Sequence, residues 1–114
     1  MIETIALNYL NEKLTENAYM EVPRNPTPPF VVIEKVGSSF ENRVDTATLA
    51  FQSYGASMEE AAKLNEKVKA VVESMTELGS ISKCYLNSDY NFTDTSTKQY
   101  RYQALYVITY LREE

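Results

Sequence analysis

Residues 97–114 read TKQYRYQALYVITYLREE. With a period of two, Tyr100, Tyr102, Ala104, Tyr106, Ile108 and Tyr110 fall on one side and Arg101, Gln103, Leu105, Val107, Thr109 and Leu111 on the other. Side chains alternate across a β-strand, so the spacing predicts a long strand that is apolar on both faces over its second half. Such a strand belongs in a sheet covered on both sides. A chain of 114 residues holds one domain of ordinary size, whose two predicted helices are too few for that task, so a neighbouring subunit is expected to supply the second cover.

Upstream of this strand, Thr93, Asp94, Thr95, Ser96, Thr97 and Lys98 form a polar run with no apolar anchor, preceded by ISKCYLNSDYNF at 81–92. The pattern predicts a long hairpin with a mobile tip that takes its order from a contact elsewhere. Before it, SMEEAAKLNEKVKAVVESMTEL (57–78) repeats Ala61, Leu64, Val68, Val71, Val72, Met75 and Leu78 at helical spacing. Ser57 and Glu60 make a capping box, Gly79 stands where a left-handed helix terminator is wanted, and Glu59 with Lys63 and Lys69 with Glu73 form four-residue pairs.

Towards the N-terminus, RVDTATLAFQSYG (43–55) turns Ala47, Leu49 and Phe51 to one face and Thr46, Thr48 and Gln52 to the other. GSSFEN (37–42) reads as a turn after the β-rich FVVIEKV (30–36). Prolines at 23, 26, 28 and 29 make PRNPTPP a stiff extended connector, which follows a brief strand AYMEV (18–22). ETIALNYLNEKL (3–14) places Ile5, Tyr9, Leu10 and Leu14 on roughly one helical face. The whole of 1–114 is therefore expected to be a single α+β domain, in the order α-β-β-β-α-β-β, with a mostly antiparallel sheet and two helices packed on one face.

The chemistry available to the chain is narrow. There is no histidine, which removes the commonest general base and metal ligand, and three unclustered glycines offer no phosphate-cradling loop. The carboxylate pairs Glu59 with Glu60 and Asp89 with Asp94 read as a helix start and a hairpin flank, so neither catalytic residues nor a metal or cofactor are expected. Cys84 is the single cysteine and sits in an alternating strand pattern, as a packing residue of a protein in a reducing cytoplasm. The net charge of -5 disfavours nucleic acid and anionic lipid as partners, and no stretch approaches the roughly 20 apolar residues that span a bilayer. NFT at Asn91 matches a glycosylation acceptor only formally, because the N-terminus shows no secretion signal. Tyrosine, present nine times, is concentrated in the last hairpin at 85, 90, 100, 102 and 106, where it suits cross-strand packing or a protein interface better than base stacking.

The strand-to-helix junction FQSYGASMEEAAKLNEKV and the hairpin SDYNFTDTSTKQYRYQA resemble small tail proteins of phages and prophages of Gram-positive bacteria. They are similar to the tail terminator, or tail-to-head joining, family of long-tailed phages, to which the lambda minor tail protein U also belongs. The resemblance covers nearly the whole chain. It implies a compact α/β subunit with helices packed on one side of a sheet, which assembles with copies of itself as a ring, usually of six, caps the tail tube protein, and offers a surface to the connector of the head. It also implies assembly in the host cytoplasm and residence in the virion at the head–tail junction, with no cofactor. The subunit contact is expected to use Gly37, Ser38, Ser39, Phe40, Glu41, Asn42 and Arg43 on one side and Tyr100 and Tyr102 on the other, with Thr93–Lys98 as a second contact segment. The alternatives are another head–tail joining or tail completion protein, and a monomeric protein-binding module built on the tyrosine hairpin.

Overall fold

A computed structural model describes residues 1–41 and 44–111. Five strands form one sheet in the order β1-β2-β3-β5-β4, with β1 at Asn17–Tyr19, β2 at Phe30–Glu41, β3 at Val44–Gly55, β4 at Ile81–Asn91 and β5 at Tyr100–Leu111. Only the β1–β2 pair is parallel. Helices α1 (Ile2–Lys13) and α2 (Met58–Glu73) complete the predicted α-β-β-β-α-β-β order in a single α+β domain.

The alternation that predicted the strands also decides which side the helices cover. Val31 and Ile33 of β2, Ala47, Leu49 and Phe51 of β3, and Ala104, Tyr106 and Ile108 of β5 all point to the same face and are buried there. Against them α2 lays Ala61, Leu64, Val68 and Val72, and α1 lays Ile2, Ala6, Tyr9 and Leu10. Each helix buries residues at three- and four-residue intervals, the stripe of an amphipathic helix on a sheet. The Tyr9 hydroxyl ties α1 to the turn that follows α2, through Ser74 and the Glu77 carboxylate, at 2.7 and 2.8 Å. Gly55 ends β3 where the N-terminus of α2 passes closest, so a side chain there has no room.

Four local expectations are corrected. Gly37–Glu41 is not a turn, Asn42 lying outside the described residues: β2 continues to Glu41, because β3 offers an unbroken partner from Gly37↔Thr48 to Glu41↔Val44, and Val36 is taken up in a bulge between Lys35 and Gly37. The strand expected over 18–22 is shorter, at 17–19. Helix α2 stops at Glu73 and passes into a 3₁₀ turn over Ser74–Glu77, where the Ser74 hydroxyl donates back to the Val71 carbonyl at 2.7 Å. Gly79 is therefore not its terminator, and no described glycine has a positive φ. Lys69 does not pair with Glu73; it reaches Asp89 at 2.6 Å and Glu66 at 2.7 Å, which leaves Glu73 to accept from the Tyr106 hydroxyl. Of the capping box the Ser57 half forms as expected, with Ser57 Oγ accepting from the Glu60 amide at 3.1 Å, while Glu60 Oε1 accepts from the Ala56 amide at 2.7 Å, one residue before the cap.

Candidate interaction surface

With both helices on one face, the opposite face of the sheet has no second layer among the described residues. At one end it covers itself. Tyr19 meets Phe30 edge-on at 6.1 Å, and Phe30 stacks on Tyr54 at 4.6 Å. The Arg101 guanidinium lies 5.7 Å from the Tyr54 ring and 4.5 Å from that of Phe92, which in turn meets Tyr90 edge-on at 5.8 Å. These contacts run across every strand of the sheet in the sequence β1, β2, β3, β5, β4. Arg101 is also held by hydrogen bonds from Nε to the Phe92 carbonyl at 2.7 Å and from a terminal nitrogen to the Tyr54 hydroxyl at 3.1 Å.

One row further along, the Gln52 amide donates to Gln103 at 2.8 Å, the Gln103 amide donates to the Tyr90 hydroxyl, and the Tyr54 hydroxyl donates to Gln52 at 3.3 Å. Both glutamines are only 8% exposed. Two polar residues on an otherwise uncovered face are buried because rings and amides close over one another, so their donors and acceptors are met within the row. The second cover expected from a neighbour is thus supplied over this half by the chain's own side chains.

The rows beyond it lack that cover. Leu105, Val107 and Tyr85 make an apolar strip beside the buried Ala50, with Leu105 and Val107 half-buried and Tyr85 54% exposed. Past it, β2 from Glu34 to Glu41 is exposed throughout, including Val36 at 54%.

The structure places the residues expected at a subunit contact in three locations. Gly37–Glu41 sit together on this exposed arm; Asn42 and Arg43 lie outside the described residues. Tyr100 and Tyr102 are half-buried at the far end of β5, an inner strand, opposite Gly55 and Ser53. The Thr93–Lys98 tip was expected to depend on an outside contact for order, yet it carries its own. Asp94 Oδ1 accepts from the Ser96 hydroxyl at 2.7 Å and the Ser96 amide at 3.1 Å, Asp94 and Gln99 exchange backbone hydrogen bonds, and Lys98 takes a left-handed φ of 55°. An aspartate accepting from the amide two residues on is an Asx turn.

The hydrogen bond from Ser96 holds the Asp94 carboxyl below its ordinary value. A depressed folded pKa contributes order above the unfolded value and loses it as pH falls through the folded one. The Ser96 and Thr97 amide resonances are therefore expected to stay constant from neutral pH to about pH 5 and to move only in acid, below about pH 4. Asp94→Asn, which keeps the acceptor, should retain the turn and lose the pH response.

The remaining concentration of polar groups lies on the helix side. Asn65 donates to Asp89 at 2.7 Å next to the Lys69 pair, and the Cys84 thiol donates to the Val72 carbonyl at 3.4 Å. Burial, reinforced by the charge of Glu73, pushes the Cys84 thiol up to about 11, so it stays protonated at neutral pH and is a poor nucleophile. Burial and then the Glu73 hydrogen bond raise the Tyr106 phenol as well. These groups join α2 to β4 and β5. Among the described residues, no His, Cys, Asp and Glu side chains gather in threes to hold a metal.

Sequence reading missed the ladder of rings around Arg101. Its members stand at 19, 30, 54, 90, 92 and 101, and only the strand order brings them into one line. Removing the guanidinium by Arg101→Ala is expected to cost about 2 kcal/mol, from charged hydrogen bonds and stacking, and lysine should recover little because it has no planar fork. Urea denaturation of the three proteins checks this.

A shallow cleft of ≈ 410 Å³ opens beside the ladder, lined by Pro26, Pro28, Phe30, Tyr54, Lys98 and Tyr100. No helix among the described residues is long and apolar enough to cross a membrane. Comparison with protein-family models and with curated proteins finds no match for this chain.

Proposed function

We propose that the chain is a structural subunit that assembles with copies of itself into a ring, ends a phage tail tube and joins the tail to the head. The observation that carries this reading is the partly uncovered strip of Leu105, Val107 and Tyr85 beside the exposed arm of β2. Apolar surface next to unpaired backbone is what a subunit interface requires, and the self-covered half of the face shows that the chain has the means to close such a surface when it is to stay free. Helices packed on one side of a sheet are also what the resemblance to tail terminators implies. The partners in this reading are six copies of the chain, the tail tube protein and the head completion or connector protein. Assembly proceeds in the host cytoplasm, and the ring stays at the head–tail junction of the virion. Another head–tail joining or tail completion role would use the same surfaces.

Val107→Glu puts a carboxylate in the middle of the strip. It is expected to leave the circular dichroism spectrum and the monomer unchanged, while lowering the oligomeric fraction at least tenfold and abolishing capping of tail tubes in a phage assembly assay. Unimpaired assembly and capping by a folded Val107→Glu protein would remove the strip from the interface. The second reading, a monomeric module that takes a peptide, draws its support from the cleft between Pro26, Pro28 and Tyr100. It predicts a monomer at every concentration and titration shifts confined to Phe30, Tyr54 and Tyr100 with a proline-rich peptide.

A further inference from the structure

We propose that neighbouring copies join edge to edge, with the outer edge of β4 in one copy pairing antiparallel with the outer edge of β2 in the next, so that the sheets run on from subunit to subunit. This rests on the self-assembly reading above and specifies its contact.

The sheet has two long edges without a strand partner among the described residues. On β2, the short β1 pairs only with Phe30–Val32, which leaves Ile33–Glu41 open on that side. On β4, every pairing is to β5, which leaves the other side open along the strand. An open edge is a row of backbone donors and acceptors that templates another strand.

Direction and level both fit. β2 runs parallel to β5 and opposite to β3 and β4, so a second copy in the same orientation sets its β2 antiparallel to β4. Ile33 shares a row with Phe51, Ala104 and Asp89; at the other end Phe40 shares one with Asp45, Tyr110 and Ile81. The open length of β2 therefore spans the same rows as β4 from Asp89 back to Ile81. β1 closes the β2 edge at Val32 and acts as an end stop that fixes the register.

The side chains at those rows complement one another. Gly37 shares a row with Thr48, Val107 and Tyr85. A Cβ on Gly37 would meet nothing within 4 Å, and the Tyr85 ring is 54% exposed on the same face, so the ring of one copy can lie over the bare glycine of the next. Two rows on, Lys83 is level with Ser39 and next to Glu41, an opposite charge. The same contact extends the Leu105 and Val107 strip onto the neighbour's β2. Because each copy offers one edge of each kind, the contact is heterologous and continues until the turn per subunit closes it.

Cysteine pairs test this in a Cys84→Ser background. Gly37→Cys with Tyr85→Cys, and separately Ser39→Cys with Lys83→Cys, should give on mild oxidation a ladder of covalent species extending past the dimer, whereas each single substitution should not. Folding of each variant is checked by circular dichroism, and all four positions are exposed. An oligomer seen by light scattering without a ladder from either pair overturns edge pairing and leaves the self-assembly reading standing. Dimers from Tyr85→Cys alone mean that β4 pairs with β4, which also overturns it. A Cys84→Ser protein that is monomeric at all concentrations overturns both.

Discussion

Val68→Asp is expected to yield no stably folded protein, and Leu64→Ala a folded protein weakened by about 2–5 kcal/mol. Val68 is wholly buried and Leu64 is 3% exposed, in the middle of the α2 stripe that covers β3 and β5. A carboxylate at 68 is taken out of water among alkyl groups, at a cost comparable with the roughly 5–15 kcal/mol that holds an ordinary domain together. Leu64→Ala removes methyl groups and leaves a cavity that a sheet on one side and a helix backbone on the other close only in part. Thermal and urea denaturation of the two variants separates these outcomes. Midpoints unchanged in both would mean that α2 does not hold the sheet.

The second large effect is expected at Gly55→Ala, the addition of one methyl group. A Cβ at this position falls 2.4 Å from the Ala61 amide nitrogen and 2.9 Å from its Cα. Both atoms are helix backbone, which cannot turn aside as a side chain would. Strand and helix must part by about 1 Å, the kind of overpacking that costs roughly 1–3 kcal/mol and occasionally more. The separation also pulls on the Ser57–Glu60 cap. Ser57→Ala, which removes the cap alone, should cost about 1 kcal/mol. Urea denaturation is expected to rank Gly55→Ala as clearly the more damaging of the two; the reverse order would show that the junction yields without strain.

How much of this was legible in the sequence follows from the range of the interactions involved. Patterns set by the nearest neighbours along the chain carried through: the period of two in β3 and β5, the stripe of α2 and the Ser57 cap are local properties, and each decides a face or an end without knowledge of the fold. Where a partner strand or helix competes with a local preference, the partner prevails. Gly37 signals a turn by composition but lies opposite a continuous β3, and a bulge costs less there than abandoning the pairs beyond it. Lys69 has a carboxylate one turn away at Glu73, yet the approach of β4 offers Asp89, and Glu73 goes to Tyr106 instead.

The candidate surface was half legible. The two-faced character of β5 pointed to a surface wanting cover, and Gly37–Glu41 lie on the exposed arm beside it. The self-made cover was not, because Tyr19, Phe30, Tyr54, Arg101 and Phe92 come from separate stretches and meet only through the β1-β2-β3-β5-β4 order. The same order creates the two open edges. No spacing within a single segment announces which strands will stand at the margin of a sheet.

The central claim, that this chain is a ring-forming subunit whose uncovered strip and arm are its interface, is tested most directly by sedimentation equilibrium of the unmodified protein from micromolar to millimolar concentration. Such rings are often weak until a template raises the local concentration, so the account predicts a monomer at the dilute end giving way to a species of six subunits as concentration rises. A single monomeric species across the whole range, together with failure to form rings on added tail tubes, would contradict it.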